Sequence, residues 1–341
     1  MNSTYFKAFD STQCDKFTNP RKGEKKFGEK IDFPDHRPIE IFLEETSAKY
    51  ILLGIEEDIG VQANLGRGGT RMAWENTLKS LLNIQHNKYC KGNWVGVLGS
   101  FSFDNLLSDA TTSQPKDLYH LVEIIDKEVT HLLHIIHKYN KIPIVIGGGH
   151  NNAYGSIKAL ALHSGTAVNA INFDAHTDFR AREGRHSGNG FSYAYEEKFL
   201  DKYFIFGLHE NYTSKSIFQE ISDTNGNVAY NTFEEIAIRE EKTFITQLNI
   251  AYQHIKDKKY GIEMDLDSIE MMPSSAITPT GFTSTDARRF IHHLGLSPKA
   301  AYLHICEGAP NFGSDKNPNL IGKLISYMVT DFIKAKEQLS V

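Results

Sequence analysis

Three apolar segments, each ending in side chains that can bind a metal, constrain the fold of this 341-residue chain most strongly. Apolar runs of this length, bounded by glycine and polar residues, are typical of strands buried on both faces of a parallel sheet. The segments and their metal-binding side chains are residues 142–146 with His150, residues 167–173 with Asp174, and residues 260–266 with Asp265 and Asp267. Because ligands bind at the carboxyl ends of strands in open α/β sheets, we expect these side chains to meet at one edge.

Strands and helices alternate along most of the chain. Beyond the three segments, strands are predicted at residues 50–54, 94–98, 203–207, 227–230 and 300–306, and helices at residues 72–84, 117–139, 152–163, 241–255, 284–294 and 320–334. The alternation predicts an α/β fold with a mostly parallel sheet that helices cover on both faces. We interpret residues 1–35 as an irregular N-terminal arm on the surface, residues 99–115 as a polar connection, and residues 36–341 as one domain.

The composition favours a small-molecule substrate over a nucleic acid or a membrane as the partner. The net charge is -5 with a pI near 6.3, and no block of basic residues is present to attract phosphates. No apolar run reaches transmembrane length, and no signal sequence is visible. The three cysteines are widely spaced and odd in number, which is typical of reduced thiols, so we expect a cytoplasmic protein.

The residues that follow the second segment, 174–178, place Asp174, His176 and Asp178 at alternate positions. At the end of an extended strand this spacing points all three side chains to one side of the backbone. Two carboxylates and an imidazole crowded in this way lose solvation unless a cation gathers them. The alternative is a capped turn between a strand and a helix, because Asp and Thr are common N-cap residues.

Considered together, the three segments supply six candidate metal ligands: His150, Asp174, His176, Asp178, Asp265 and Asp267. Four carboxylates and two imidazoles suit Mn²⁺ better than Zn²⁺ or copper, which draw more on sulfur and nitrogen. Six ligands around one ion leave no room for a water molecule. Carboxylates shared between two ions leave a coordination position open for it. We therefore predict a hydrolytic site that holds two Mn²⁺ ions.

Three motifs stand in the order found in the arginase/agmatinase (ureohydrolase) family, and from about residue 50 onward the chain resembles that family. The motifs are residues 147–150, residues 174–178 and residues 265–267. The resemblance implies a three-layer αβα catalytic domain, two Mn²⁺ ions on the six ligands, and a homo-oligomer. It also implies that a water molecule acidified by the two ions attacks the trigonal carbon of a guanidinium or amidinium group.

Departures from the commoner motifs of the family point to one of its branches. Gly149 stands where arginases and agmatinases carry Asp, and Ser187 stands where they carry a histidine, with His186 one residue earlier. Both features, together with residues 60–69, are similar to the formimidoylglutamase branch, although Asn151 replaces the Glu usual there. The resemblance implies conversion of N-formimidoyl-L-glutamate to L-glutamate and formamide in histidine degradation.

Two further residues are candidates for catalysis. By the resemblance, Glu307 matches the carboxylate that receives the cationic amidine; the alternative is an exposed glutamate at the start of a loop. His186 is a candidate proton donor to the leaving amine, because imidazoles titrate near neutral pH, and the alternative is a plain loop histidine.

Candidate substrate-binding residues follow from the charge of formimidoylglutamate, whose two carboxylates suit arginine partners. They are Arg67, Asn64, Arg180, Arg185 and Asn189, with Arg182 in the same loops. The alternative is that these arginines are solvated at the surface. Two other functions stay open: an arginase, agmatinase or other guanidino-acid hydrolase that releases urea, and an inactive relative with a regulatory or scaffolding role.

Overall fold

The computed structural model describes residues 3–109, 114–312 and 319–338. Its strands are Phe6–Ala8 (β1), Tyr50–Glu56 (β2), Val95–Ser102 (β3), Ile142–Ile146 (β4), Val168–Phe173 (β5), Leu200–Leu208 (β6), Val228–Thr232 (β7), Tyr260–Asp265 (β8) and Ala300–Cys306 (β9). Its helices are Ser11–Phe17 (α1), Ile39–Glu45 (α2), Ile59–Ala63 (α3), Ala73–Leu81 (α4), Asp104–Asp109 (α5), Tyr119–Lys138 (α6), Asn152–Ser164 (α7), Gly190–Glu196 (α8), Lys215–Asp223 (α9), Phe244–Ile255 (α10), Ser284–Gly295 (α11) and Leu320–Gln338 (α12).

All the strands belong to one sheet, whose order is β1-β3-β2-β4-β9-β8-β5-β6-β7. Among the strands of the described residues, only the edge strand β1 runs antiparallel to its neighbour, and each of the other pairs is parallel. The predicted, mostly parallel sheet is therefore confirmed. Strands β4, β9, β8 and β5 are direct neighbours at its centre, so their carboxyl ends lie side by side at one edge of the sheet.

Helices cover both faces of the sheet and bury an apolar core against each. On one face α4, α10, α11 and α12 pack against residues such as Leu52 and Ile144. On the other face α2 and α6 pack against Ile51 and Val145, because alternate residues of a strand point to opposite faces. The predicted three-layer αβα architecture is confirmed. Among the described residues, no helix combines the length and the apolar character needed to cross a membrane.

Two parts of the chain differ from the predictions. Residues 1–35 were expected to form an irregular surface arm, but Phe6–Ala8 pairs with β3, and Phe9 and Phe17 are buried in the core. Within residues 99–115, expected to be a polar connection, β3 continues to Ser102 and a short helix follows. The first difference has a physical reason: the three residues of β1 gain their order from pairing with β3 and carry little periodicity of their own.

Candidate metal centre and active site

The three predicted metal-binding motifs meet at the carboxyl ends of β4, β5 and β8. After β4 the backbone turns through Gly147 and Gly148, whose φ angles are +89° and +71°. A Cβ on Gly148 would lie 2.8 Å from Oε1 of Glu57, so glycine is required for this turn toward His150. Glu57 in turn accepts hydrogen bonds from the Gly149 and Gly60 amides, at 2.9 Å and 3.1 Å, and its buried carboxylate fixes the loop.

Gly149, which replaces the Asp of the commoner motif, lies in a tightly filled place. A Cβ there would be 2.7 Å from Oδ1 of Asn151 and 2.8 Å from Cγ2 of Val61. These separations are shorter than ordinary van der Waals contacts, so any larger residue would force its neighbours to move. The departure from the commoner motif therefore has a steric reason in this chain.

The first group of ligands gathers around the imidazole of His150. Its Nδ1 atom lies 2.7 Å from Oδ2 of Asp178, 3.0 Å from Oδ2 of Asp265 and 3.3 Å from Oδ2 of Asp174. All four side chains are buried. One nitrogen and three carboxylate oxygens therefore face a common point, which is the arrangement that holds a divalent cation.

The second group shares one residue with the first. Nδ1 of His176 lies 3.2 Å from Oδ2 of Asp267 and 3.4 Å from Oδ1 of Asp174. Asp174 thus offers one oxygen to each group, as a carboxylate that bridges two ions does. Oδ1 of Asp267 is buried and has no hydrogen-bond partner among the described residues, so the site has an oxygen available for a cation.

The electrostatics of the site also favour a cation. Burial and the charge of Asp174 raise the pKa of Asp178 to about 6, and burial with the charge of Asp267 raises the pKa of Asp265 well above its usual value. Carboxylates held in this way must either take up protons or share positive charge. The two groups of oxygen donors and imidazoles are compatible with bound divalent cations such as Mn²⁺.

A cavity of about 410 Å³ opens above these ligands. Its walls include ligands from both groups, loop residues at the mouth, and a carboxylate beyond β9. Among them are His176, Asp178, Asp265, Asp267, Glu307, Asn64, Arg180, Ser187, Tyr212 and Ser275. The cavity therefore has an acidic floor at the ends of the strands and polar and basic groups at its rim.

Glu307 lies at the floor of the cavity and not on an exposed loop. Its Oε1 atom accepts a hydrogen bond from the His150 amide at 2.8 Å, and Oε2 accepts one from the Ser275 hydroxyl at 3.4 Å. Burial, followed by the charge of Asp267, raises the pKa of Glu307 to about 8. Positive charge in the site, from bound ions or from a cationic substrate, lowers this pKa and restores the carboxylate, which can then receive the N–H groups of the substrate.

Arg180 and Asn64, both predicted to bind substrate, lie together at the mouth of the cavity. Nη1 of Arg180 donates to Oδ1 of Asn64 at 2.9 Å, and Nδ2 of Asn64 donates to Oγ of Ser187 at 3.2 Å. A Cβ on Gly188 would lie 2.9 Å from Nδ2 of Asn64, so the absence of a side chain at Gly188 makes this close contact possible. The Arg180 side chain is about half exposed, and its Nη2 atom lies 4.0 Å from Oε1 of Glu183, a weak surface ion pair that an anionic ligand can replace.

Arg185 and Asn189 differ from the prediction, because the structure places both inside the protein. Arg185 is 2% exposed and donates to Asp126, with Nε 2.8 Å from Oδ2. Asn189 is fully buried and accepts a 2.6 Å hydrogen bond from Arg185. Both side chains hold the loop from the side remote from the cavity, so neither contacts a substrate in this arrangement.

His186 and Arg67 are also absent from the walls of the cavity. His186 is 2% exposed, its Nδ1 accepts from the Gly188 amide at 3.1 Å, and burial lowers its pKa to about 4. Its Nε2 atom lies 3.3 Å from Oε1 of Glu183, and the ring does not line the cavity, whereas Ser187 does so beside Asn64. Arg67 is exposed and lies over the ring of Phe312, 4.2 Å from its centroid. The structure thus supports neither the proton-donor role of His186 nor substrate contact by Arg67.

Sequence reasoning missed Tyr212 in the cavity wall. Its ring stacks on the imidazole of His176 with 5.4 Å between centroids, and the side chain is 56% exposed. Nothing in the local sequence signals this position, because the stack depends on the path of the loop after β6. Tyr212 therefore limits access to the second group of ligands from one side.

Comparisons with known proteins agree with this geometry. Residues 48–330 match the model of the arginase family, so the chain belongs to that family and is a hydrolase of amidine or guanidino substrates. Within the family it resembles formimidoylglutamases. It is 26% identical to the formimidoylglutamase of Streptococcus pyogenes serotype M3 over 290 residues, which cover 82% of this chain and 84% of the relative.

Solved structures show the same fold. The formimidoylglutamase of Bacillus subtilis superposes with a TM-score of 0.75 at 17% identity, covering 94% of this chain and 95% of that one. The Trypanosoma cruzi formiminoglutamase, determined with Mn²⁺, superposes with a TM-score of 0.69 at 20% identity, covering 87% and 98% of the two chains. The predicted family resemblance is therefore confirmed.

Proposed function

We propose that this chain is a binuclear Mn²⁺ hydrolase that converts N-formimidoyl-L-glutamate and water to L-glutamate and formamide. The observation that carries the proposal is the cavity itself, which joins an acidic metal-ligand floor to an arginine at its rim. A substrate with an amidine at one end and carboxylates at the other complements both parts. The chain also resembles formimidoylglutamases over 82% of its length, which supports the same substrate.

In this proposal the floor of the cavity binds the amidine end. His150, Asp174, His176, Asp178, Asp265 and Asp267 hold the two ions. When bound, the ions supply Lewis-acid polarisation and a water molecule acidified to near neutral pH. The Glu307 carboxylate accepts the N–H groups of the amidinium and so fixes the plane of the trigonal carbon toward the metal side.

The rim binds the glutamate end. Arg180 presents a planar guanidinium, which matches the geometry of a carboxylate, and its contact with Asn64 limits the rotation of the side chain. The Ser187 hydroxyl lies within the same hydrogen-bonded group and can donate to a second carboxylate oxygen. Agmatine carries no carboxylate, and arginine carries one beside an ammonium group, whereas formimidoylglutamate carries two, so a rim that binds carboxylates favours the formimidoyl substrate.

A product assay tests this function. The purified chain, loaded with Mn²⁺, is incubated with formimidoylglutamate, arginine or agmatine, and formamide and urea are measured. We expect formamide from the first substrate and no urea from the other two. Urea without formamide would instead assign a guanidino-acid hydrolase. A chain that binds Mn²⁺ yet transforms none of the three would refute the assignment of the substrate, and a chain that binds no Mn²⁺ would point to an inactive relative.

A further inference from the structure

A buried glutamate lies on the side of His150 that faces away from the metal ligands. Glu263 is fully buried in β8, two residues before Asp265, so both side chains point to the same face of the sheet. Burying a carboxylate is costly unless it accepts hydrogen bonds from suitable donors. The burial of the Glu263 carboxylate therefore needs partners other than the metal-ligand groups at the floor of the cavity.

Two donors on the neighbouring strand fix this carboxylate. The Tyr302 hydroxyl donates to Oε1 at 2.6 Å, and Nδ1 of His304 lies 2.6 Å from Oε2. His304 is the direct register partner of Glu263 in the β8–β9 pair, and both residues are fully buried. The carboxylate thus has a set direction, given by rigid strands and not by a loop.

The second ring nitrogen of His150 faces the same carboxylate. Nδ1 of His150 contacts the three ligand aspartates, so Nε2 carries the proton whenever Nδ1 binds a metal. Nε2 is buried without a hydrogen-bond partner among the described residues, and Oε2 of Glu263 lies 3.6 Å away. That gap exceeds a hydrogen bond by only a few tenths of an ångström, which a small rotation of the ring would close.

We infer that Glu263 is a positioning residue that orients His150 for metal binding through its Nε2–H group. Carboxylates that accept from the outer nitrogen of a metal-bound histidine fix its tautomer and raise its basicity, and their loss weakens metal affinity about 10- to 100-fold. The inference rests on the proposed metal site and adds a residue that does not touch the ions. The competing explanation is that Glu263, Tyr302 and His304 only hold β8 and β9 together.

Mn²⁺ binding distinguishes these explanations. Metal-free wild type, Glu263→Gln and Tyr302→Phe are titrated with Mn²⁺, and the unbound ion is followed by electron paramagnetic resonance. We expect the affinity of Glu263→Gln to fall about 10- to 100-fold. Tyr302→Phe removes the Oε1 bond but leaves Oε2 facing His150, so we expect its affinity within about threefold of wild type. The melting temperatures of the metal-free proteins show how far each variant loosens the fold.

Equal Mn²⁺ affinity in Glu263→Gln and wild type would overturn the inference, as would an equal loss in both variants. If Glu263→Gln does not fold, Glu263→Asp takes its place: it keeps the charge but shortens the side chain, and we expect the same loss of affinity. The inference and the proposed function fail separately. Wild type that binds no Mn²⁺ refutes the metal site, whereas wild type that binds it while Glu263→Gln binds equally well refutes only the role of Glu263.

Discussion

Replacing Arg180 tests whether the rim of the cavity recognises an anion. The side chain lies at the mouth, about half exposed, and one of its N–H groups is engaged by Asn64. A hydrogen bond to a charged group contributes about 1.5–3 kcal/mol, and exposure to solvent favours the lower figure. Since about 1.4 kcal/mol corresponds to a factor of ten, we expect Arg180→Met to raise KM for formimidoylglutamate about tenfold. The turnover number should change little, because the rim does not contact the reacting carbon.

The matched control is Arg182→Met. Arg182 is exposed to a similar degree, pairs with Glu196 at 3.4 Å, and does not line the cavity, so we expect its KM to stay within about twofold of wild type. Formamide release at varied substrate concentration, with Mn²⁺ saturating, gives KM and kcat for each variant. Equal KM values for the Arg180 and Arg182 variants would remove the physical basis for an anionic substrate.

Three further predictions concern loop geometry, a buried ion pair and a buried amine. Gly188→Ala should raise KM by a factor similar to that of Arg180→Met, because its methyl group displaces the side chains at the rim. Arg185→Met should lower the free energy of unfolding, measured in urea, by about 3–5 kcal/mol, since it leaves Asp126 buried without its partner. The double variant Arg185→Met with Asp126→Asn should lose less unfolding free energy than the sum of the two single variants. Burial lowers the pKa of Lys336 to about 8, so near and above this pH the unfolded chain binds more protons than the folded chain. The free energy of unfolding should therefore rise by about 1 kcal/mol between pH 7 and 9, and Lys336→Met should lack this rise.

The sequence predicted the floor of the cavity well because its ligands are fixed by local rules. Alternate positions at the end of a strand share a side, and neighbouring parallel strands end at the same edge, so His150, Asp174 and Asp265 had to approach one another. Strands β4 and β9 begin and end where their apolar runs do, since both runs are buried on the two faces of the sheet. The pattern of apolar residues was sufficient to predict a strand wherever the whole strand is buried.

The rim could not be predicted in the same way. Arg180 and Arg185 lie five positions apart in one loop and are the same type of residue, yet one faces the cavity and the other is buried. The difference depends on Asp126, which lies 59 positions away in α6 and captures Arg185. Glu263 lies in the predicted strand of residues 260–266, but its proposed role depends on Tyr302 and His304 of β9, whose side chains reach it only in the folded sheet.

The buried loop residues connect the stability of this protein with its specificity. Arg185 donates to Asp126 in α6 and to the Asn189 side chain, and Asn189 in turn accepts from the His186 amide. These bonds fix the loop whose Ser187 and Gly188 line the cavity and against which Asn64 and Arg180 rest. The acidic floor belongs to the sheet, whereas the rim rests on a loop that the buried ion pair of Arg185 and Asp126 holds in place. Weakening that ion pair should therefore alter substrate recognition before it alters the metal ligands, because the floor keeps its own support from the strands.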